Sequence, residues 1–260
     1  VSPFGLRRDK ADVVADLPEK IEDTVVAQLA GEQRKLYLAN QDRIAQQVQH
    51  REASEFKKDK LKVLAELTKL RQICCDPRLH YEDYKAGSAK LDTCMELVHG
   101  ALDGGHRILL FSQFTGMLDI IGKRLAKEDI AFLKLTGASS KESRAKMVAQ
   151  FQAGEVPVFL ISLKAGGVGL NLTAADVVIH YDPWWNVAAQ DQATDRAHRI
   201  GQQHTVTVYK LIAKDTIEER IMQMQESKRD LVNSVLGGDG ISSALFTRED
   251  VLALLGGDGR

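Results

Sequence analysis

The stretch VFLISL, residues 158–163, is a short apolar run that leads directly into the glycine-rich sequence KAGGVGLNL, residues 164–172. A continuous apolar run of this length is typical of a strand that is buried on both faces. Similar runs recur along the chain, each followed by a stretch long enough for a helix: residues 107–112, 131–135, 177–181 and 206–212. This alternation predicts an α/β fold with a mostly parallel sheet and helices on both faces.

The first third of the chain has a different pattern. Residues 31–75 contain no Pro and a single Gly, at their first position, and apolar residues recur at helical spacing between Val63 and Cys74. This pattern predicts two long helices, which end at Asp76 and Pro77 because the residue before a proline is disfavoured in the helical conformation. Before them, residues 20–29 alternate and carry β-branched side chains, which predicts a short strand.

Two pairs of residues have the spacing of a capping box, in which a Ser, Thr or Asp begins a helix and a Glu follows three positions later. Ser139 stands three residues before Glu142, and Asp215 stands three residues before Glu218. Both pairs predict the first turn of a helix in the α/β part of the chain.

The overall charge gives little indication of a partner. The chain has 260 residues, of which 44% are hydrophobic and 27% charged, with a formal net charge of −1. Any binding of a polyanion must therefore come from a local patch. Residues 56–71 are a candidate, since they hold six Lys or Arg residues against Asp59 and Glu66. A solvated helix face is the alternative interpretation of the same residues.

The cysteines and the N-terminus indicate the compartment. Cys74 and Cys75 are adjacent and Cys94 stands apart, so the chain lacks the C-x-x-C spacing of zinc sites and the even count of a disulfide framework. We expect reduced, buried thiols and no metal site. Because no signal peptide or apolar run of membrane-spanning length is visible, we expect a soluble intracellular protein without a membrane partner.

Several short stretches directly follow the predicted strands. They are SQF at residues 112–114, LTG at 135–137, the glycine-rich stretch after residue 162, and YDPWWN at 181–186. Ligands of parallel sheets bind beyond the carboxyl ends of the strands, so we expect these stretches to meet at one edge. Gly166, Gly167 and Gly169 allow positive φ and close backbone approach to phosphate or to another lobe, with a plain tight turn as the alternative.

The stretch DQATDRAHRIGQ, residues 191–202, places Gln192, Arg196 and Arg199 at i, i+4 and i+7, which predicts one face of a helix. This face is either solvated, with Asp195 paired to Arg199, or an arginine pair directed at phosphate. The chain contains no G-x-x-x-x-G-K-[ST] stretch, so it cannot by itself hold and activate a nucleoside triphosphate. An arginine pair without such a loop is expected in the second half of a composite site.

Three stretches together resemble motifs IV, V and VI of the SWI/SNF-type ATPases of helicase superfamily two. They are ILLFSQF, LISLKAGGVGLNLTAADVVIHYDPWWN and QATDRAHRIGQ. LRQICCDPRL is similar to the LRQICNHP segment of that family, FGLRRDKADVVADLPEKIE to the stretch after its first lobe, and LFTREDVLALLG to the ends of bacterial members. The resemblance implies a linker and helical protrusion (residues 1–86), a RecA-like lobe (87–236), and a tail with a short helix (237–260).

The resemblance also implies a role for the residues that match the motifs. Arg196 and Arg199 match arginines that reach the γ-phosphate of ATP, and Gln192 matches the glutamine of the same motif. Gly167 and Gly169 match glycines near the nucleotide and the interface between the lobes. The expected catalytic residues are therefore Gln192, Arg196 and Arg199.

Four further residues match positions that contact DNA or act with it. Gln113, Thr136 and Lys164 match positions near the DNA backbone, and Trp185 matches a tryptophan that couples ATP turnover to DNA movement. The family often has DG where this chain has Thr136 and Gly137, so this contact departs from the family pattern. The expected DNA-binding residues are therefore Gln113, Thr136, Lys164 and Trp185.

By resemblance, the chain is the second ATPase lobe of a double-stranded DNA translocase or remodeller. ATP and Mg²⁺ are then held mainly by a first lobe of the same parent chain, and this chain alone is predicted to be inactive. If the protein is bacterial, we expect it in the cytoplasm near the nucleoid, with RNA polymerase or DNA-bound proteins as candidate targets. The alternatives are a non-catalytic DNA- or protein-docking module that uses residues 56–71, and an unrelated nucleotide-binding α/β enzyme.

Overall fold

The computed structural model of the chain describes residues 17–50, 53–166, 169–184, 187–227 and 247–256. Within them, six strands form one sheet: β1 (Lys20–Ala27), β2 (Ile108–Ser112), β3 (Phe132–Leu135), β4 (Val158–Ser162), β5 (Val177–His180) and β6 (Val206–Ala213). The strand order is β1-β6-β5-β2-β4-β3, and every neighbouring pair runs parallel. The predicted α/β fold is confirmed, and the mostly parallel sheet is parallel throughout the described strands.

The helices follow the predicted alternation. They are α1 (Gly31–Gln49), α2 (Ala53–Cys75), α3 (Ala89–Asp103), α4 (Thr115–Lys127), α5 (Lys141–Ala153), α6 (Leu163–Gly166), α7 (Val187–Thr194), α8 (Ile217–Ser227) and α9 (Arg248–Leu254). The two predicted long helices are α1 and α2. After α2, Asp76 accepts a hydrogen bond from the backbone N–H of Arg78 at 2.9 Å and begins the short 3₁₀ helix Pro77–Leu79. No helix among the described residues has both the length and the apolar composition needed to span a membrane.

The predicted N-terminal strand forms the edge of the sheet. β1 pairs with β6 over its whole length, from Lys20 opposite Val206 to Ala27 opposite Ala213. Its first five residues are all exposed, which an edge strand allows but the alternation in its sequence does not predict. The RecA-like sheet therefore includes a strand that precedes the helical protrusion, while the division of the chain at residues 86 and 236 stays a prediction.

Strands β2, β4 and β5 are buried along their whole lengths because helices cover both faces of the sheet. On one face, Met95 and Val98 of α3 and Leu118 of α4 pack over the strands. On the other face, Phe151 of α5 and Ala193 of α7 do so. This burial on both sides explains why these strands have continuous apolar sequences.

The helical protrusion is anchored to the C-terminal part of the chain. The apolar faces of α1 and α2 pack with α8 and α9, for example through Tyr37, Leu67 and Leu254. The Tyr37 hydroxyl accepts a hydrogen bond from the backbone N–H of Ile217 at 2.7 Å, and the Gln41 amide donates one to the carbonyl of Leu255 at 2.6 Å. α9 lies in the segment where a short helix is predicted. The three cysteines are free and buried, as expected for reduced thiols.

The first capping box is wrong by one residue. The N-cap of α5 is Ser140, whose hydroxyl accepts a hydrogen bond from the backbone N–H of Ser143 at 3.1 Å. Ser139 instead accepts one from the backbone N–H of Thr136, at 3.2 Å. Two adjacent serines can each cap a helix, and the path of the loop after β3 decides between them.

The second capping box is also wrong. Asp215 has a φ of 57°, and α8 begins at Ile217. Glu218 is fully buried, and its carboxylate binds the Lys90 ammonium at 2.8 Å and accepts a hydrogen bond from the backbone N–H of Ala213 at 2.8 Å. Because Lys90 is fully buried as well, this ion pair joins α3 and α8 without access to solvent.

His180 ends β5 inside the protein. Its ring stacks on Phe111 with the centroids 5.5 Å apart, and its Nε2 atom lies 2.8 Å from the hydroxyl of Thr194. Burial, reinforced by the positive charge of Lys210, lowers the pKa of His180 from its usual 6.5 to about 3. The imidazole is therefore neutral in the folded protein at neutral pH.

We expect this burial to make the fold sensitive to mild acid. The unfolded chain protonates His180 near pH 6.5, whereas the folded chain does so only near pH 3. The contribution of His180 to the free energy of unfolding is therefore highest above pH 6.5 and decreases as the pH falls below it. At pH 5 the loss amounts to about 2 kcal/mol. Urea unfolding at pH 7 and pH 5 measures this loss, and His180→Gln should reduce it. The control is His204→Gln, at an exposed histidine, and equal pH dependence in all three proteins would contradict the prediction.

Candidate functional site

The carboxyl edge of the sheet brings three of the predicted residues together. Gln113 follows β2, Thr136 follows β3, and Lys164 lies in α6, directly after β4. These strands are neighbours, and the three residues line one open depression together with Thr115, Asp119, Lys134, Gly137, Ala138 and Ser162. The expected convergence of the strand ends is confirmed for these three residues, while their contact with DNA stays a prediction.

The depression has one uncompensated positive charge. Lys134 is paired with the carboxylate of Asp119 across the rim. Lys164 is exposed and forms no ion pair with any carboxylate in the described part of the chain. An ammonium group beside hydroxyl and amide donors is the arrangement that suits contact with a phosphate oxygen.

Within the described part of the chain, some residues of the predicted basic face 56–71 have partners. Lys62 pairs with Asp59 at 2.8 Å, Glu66 pairs with Arg43 of α1, and the Lys69 ammonium lies 5.3 Å from the ring centroid of Tyr81. Surface pairs of this kind contribute little to stability, and Glu66 offsets the charge of Arg43 rather than that of a lysine of the face.

Arg71 does not belong to this basic face, because it is 2% exposed. Its side chain lies between α2 and the edge of the sheet. One guanidinium nitrogen donates a hydrogen bond to the Gln113 side-chain oxygen at 3.1 Å, and the other donates one to the carbonyl of Pro183. The grouping of Arg71 with the solvated lysines is therefore wrong, since a charge count along a helix does not distinguish its buried side from its exposed side.

The loop after β5 is tied to the same edge by Asp182, which the sequence analysis did not identify as a site residue. Its buried carboxylate accepts hydrogen bonds from the hydroxyl of Ser112 and from the backbone N–H of Gln113, the latter at 3.3 Å. The carboxylate thereby holds the end of β2 against the loop. Trp184 is half-buried and packs on the face of the sheet that carries α5 and α7, whereas Trp185 lies outside the described residues.

The glycine-rich loop contacts the arginine segment through its backbone. Gly169 has a φ of 30°, and a side chain there would meet open space. Further along, the backbone N–H of Leu172 donates a hydrogen bond to the carbonyl of Arg196 at 3.0 Å. Gly167 lies outside the described residues. The two predicted motifs are thus adjacent in space.

The three polar residues of the arginine segment do not share a helix face as predicted. α7 ends at Thr194, so Gln192 lies in its last turn, whereas Arg196 and Arg199 lie in the turn that follows. The chain tightens because the backbone N–H groups of residues 197 and 198 both donate to the Thr194 carbonyl, and because the Arg196 carbonyl is taken by Leu172. The predicted continuous helix is therefore wrong.

The two arginines still lie near each other. Arg199 is exposed and Arg196 is 8% exposed. Burial, together with the positive charge of Arg199, lowers the pKa of Arg196, and the negative charge of Asp195 opposes this shift. Two neighbouring guanidinium groups repel each other, and a bound anion relieves this repulsion. The arrangement is therefore suited to a phosphate-bearing ligand.

Two family models match the chain. The helicase conserved C-terminal domain matches residues 89–201, and the SNF2-related domain matches residues 1–79. The chain is also 41% identical to an uncharacterized ATP-dependent helicase of Mycoplasma pneumoniae, over 97% of this chain and 24% of that protein. The chain thus spans about a quarter of the length of the curated relatives that it matches over nearly its whole length.

Two solved structures from Sulfolobus solfataricus are similar over nearly the whole chain. The SWI2/SNF2 ATPase C-terminal domain is 32% identical, with a TM-score of 0.74, over 91% of this chain and 98% of that one. The SWI2/SNF2 ATPase core in complex with dsDNA is 36% identical, with a TM-score of 0.76, over 95% of this chain and 52% of that one. The similarity therefore extends to the protrusion as well as to the sheet.

Proposed function

The chain belongs to the SWI2/SNF2 ATPase family, and from this premise we propose that it is the second lobe of an ATP-dependent motor that moves along double-stranded DNA. The observation that carries the proposal is the common depression of Gln113, Thr136 and Lys164, because three separate strand ends supply it with donors for phosphate. A relative of the same fold is described in complex with dsDNA.

In the proposed mechanism, this lobe completes a composite ATP site. A first lobe of the same parent chain holds ATP and Mg²⁺, and the turn after α7 faces it. Arg199, which is exposed, stabilises the charge that develops on the transferred phosphoryl group. Arg196 and Gln192 support this contact from the same segment, and Gly167 and Gly169 let the neighbouring backbone approach the interface. The chain alone is then inactive.

In this mechanism the partners of the chain are double-stranded DNA and the first lobe. The DNA backbone is held by Lys164, Gln113 and Thr136. Trp185 couples ATP turnover to DNA movement, and the first lobe closes over the DNA and the nucleotide. RNA polymerase or other DNA-bound proteins are the candidate targets of the movement. A non-catalytic docking module draws less support, because Lys62 of the helix face on which it depends is paired with Asp59 and Arg71 is buried.

Duplex binding by the 260-residue chain tests the proposed DNA contact. We expect Lys164→Ala to weaken binding by the same factor for all DNA sequences, since one ammonium contact to phosphate is lost. The slope of the logarithm of the binding constant against the logarithm of the salt concentration should become shallower by about one. Fluorescence anisotropy with a labelled duplex at several salt concentrations measures both effects. The matched control is Lys35→Ala, at an exposed lysine of α1 outside the depression. Equal effects of the two substitutions would argue against a specific contact at Lys164.

A further inference from the structure

Arg71 forms a closed ring of hydrogen bonds at the edge of the sheet. Its first guanidinium nitrogen donates to the Gln113 side-chain oxygen at 3.1 Å, and its second donates to the carbonyl of Pro183. The Gln113 amide nitrogen in turn donates to the same carbonyl at 3.4 Å. Because the amide oxygen and the amide nitrogen each have a partner in the ring, the orientation of the Gln113 amide is determined.

The ring leaves Gln113 able to bind a further group. An amide nitrogen carries two hydrogens, and the ring uses one of them. Gln113 is half-buried and lines the depression that also contains Lys164. The second amide hydrogen is therefore the group that Arg71 can present to a phosphate oxygen.

The position of Arg71 is energetically demanding. Burial lowers the pKa of the guanidinium, and the nearby negative charge of Asp182 opposes this shift. The Arg71 guanidinium carbon also lies 5.6 Å from the ring centroid of Phe114. A buried cation at such a position requires fixed hydrogen-bond acceptors. Gln113 and Pro183 provide them, and both belong to the loops that follow strands β2 and β5.

The segment after Pro183 is held by its backbone as well. The carbonyl of Trp184 accepts a hydrogen bond from the amide of Gln225 in α8, and the Trp184 backbone N–H lies 3.5 Å from the side-chain oxygen of Gln190 in α7. Together with the bond from Arg71 to the preceding carbonyl, these contacts connect the tryptophan segment to α2, α7 and α8.

We propose that Arg71 is a positioning residue, which holds the Gln113 amide and the Pro183 carbonyl in one arrangement so that the depression and the tryptophan segment move as one unit. The helical protrusion thereby orients a group in the DNA contact and restrains the loop at Pro183 and Trp184. The part of this inference that concerns DNA rests on the proposed function. The restraint on the tryptophan segment does not depend on it.

Tryptophan fluorescence tests the restraint directly. The chain contains two tryptophans, Trp184 and Trp185, so its emission reports on this segment alone. We expect Arg71→Met to increase acrylamide quenching of the emission about twofold, because the segment opens to solvent. Arg71→Lys keeps the charge but not the guanidinium fork, so it should give an intermediate increase. Lys62→Met is the control, at an exposed position on the same helix.

Duplex binding by the same proteins tests the second half of the inference. We expect Arg71→Met and Gln113→Ala each to weaken binding about tenfold, whereas Gln113→Ala should increase the quenching less than Arg71→Met does, because the hydrogen bond from Arg71 to the Pro183 carbonyl remains. If Gln113→Ala does not weaken DNA binding, the DNA contact of the proposed function is wrong, and the quenching still decides the role of Arg71. Circular dichroism checks that each variant is folded.

Two results would overturn the inference. The first is wild-type quenching in a folded Arg71→Met protein, or in Arg71→Lys if the Met variant does not fold. The second is an equal increase in quenching for Lys62→Met, which would show a general loosening of α2 rather than the loss of the bond to Pro183.

Discussion

Substituting Arg199 by Ala in the whole protein is expected to lower DNA-stimulated ATP hydrolysis by a factor on the order of 10³ or more. A guanidinium that reaches the transferred phosphoryl group from another lobe stabilises charge that develops in the transition state, so its loss lowers kcat. ATP binding should change little, since the proposed first lobe supplies most of the contacts to the bound nucleotide. Arg199 suits this test better than Arg196, because its side chain is exposed and its removal leaves the core intact.

The measurement compares ATP turnover with and without duplex DNA for the whole protein, the Arg199→Ala variant and the 260-residue chain. Arg34→Ala serves as the control, at an exposed arginine of α1. We expect DNA-stimulated turnover in the whole wild-type protein and in the Arg34→Ala variant, but not in Arg199→Ala or in the 260-residue chain. Turnover that survives in Arg199→Ala rules out the proposed contact, and turnover by the isolated chain rules out a composite site.

Glu218→Gln is expected to destabilise the fold by about 3–5 kcal/mol, because it leaves the Lys90 ammonium buried without a countercharge. Glutamine has nearly the same shape as glutamate, so packing changes little and the effect comes from the lost charge. The ion pair also joins α3 to α8 and to the end of β6, which adds to the effect of breaking it. We therefore expect the melting temperature of the chain to fall by about 10 °C.

Chemical unfolding of Glu218→Gln, Lys90→Met and the double variant measures the coupling between the two charges. The double variant should lose less stability than the sum of the single variants, since no uncompensated charge remains buried. Glu219→Gln provides the control, because this neighbouring carboxylate is only partly buried and bonds the backbone N–H of Asp215. Additive losses would show that the two side chains do not act as a pair.

The patterns that succeeded at the sequence level are those that depend on local periodicity. The continuous apolar sequences of β2, β4 and β5 predict strands buried on both faces, and helices cover both faces. The helical spacing from Val63 to Cys74 predicts α2, and Pro77 predicts its end. The order of the strands along the chain also predicts which loops share an edge, because the carboxyl ends of parallel strands lie on the same side.

Two of the predictions that failed depend on partners distant in sequence. The stretch after residue 190 has helical spacing, but the Arg196 carbonyl accepts its hydrogen bond from Leu172 in another loop. Glu218 has capping-box spacing, but its carboxylate binds Lys90, 128 residues earlier. In both cases a tertiary contact replaces the local one because it satisfies a polar group that would otherwise be buried without a partner.

Arg71 shows the same limit within the candidate site. It stands four residues after Leu67 and three before Cys74, both fully buried or nearly so, and this spacing could have indicated its burial. Its two acceptors are 42 and 112 residues away along the chain. The sequence could therefore indicate that Arg71 is buried but not what it binds.

The sequence by itself determined the alternation of strands and helices, the edge of the sheet on which the candidate residues lie, and the family to which the motifs belong. Apolar periodicity and motif spacing are properties of neighbouring residues, so they are readable without the fold. The tertiary structure alone decided that Arg196 and Arg199 lie in a turn, that Lys90 and Glu218 form a buried pair, and that Arg71 joins Gln113 to Pro183. These features depend on where distant segments meet, because a buried charge or carbonyl takes whichever partner the packing brings within reach.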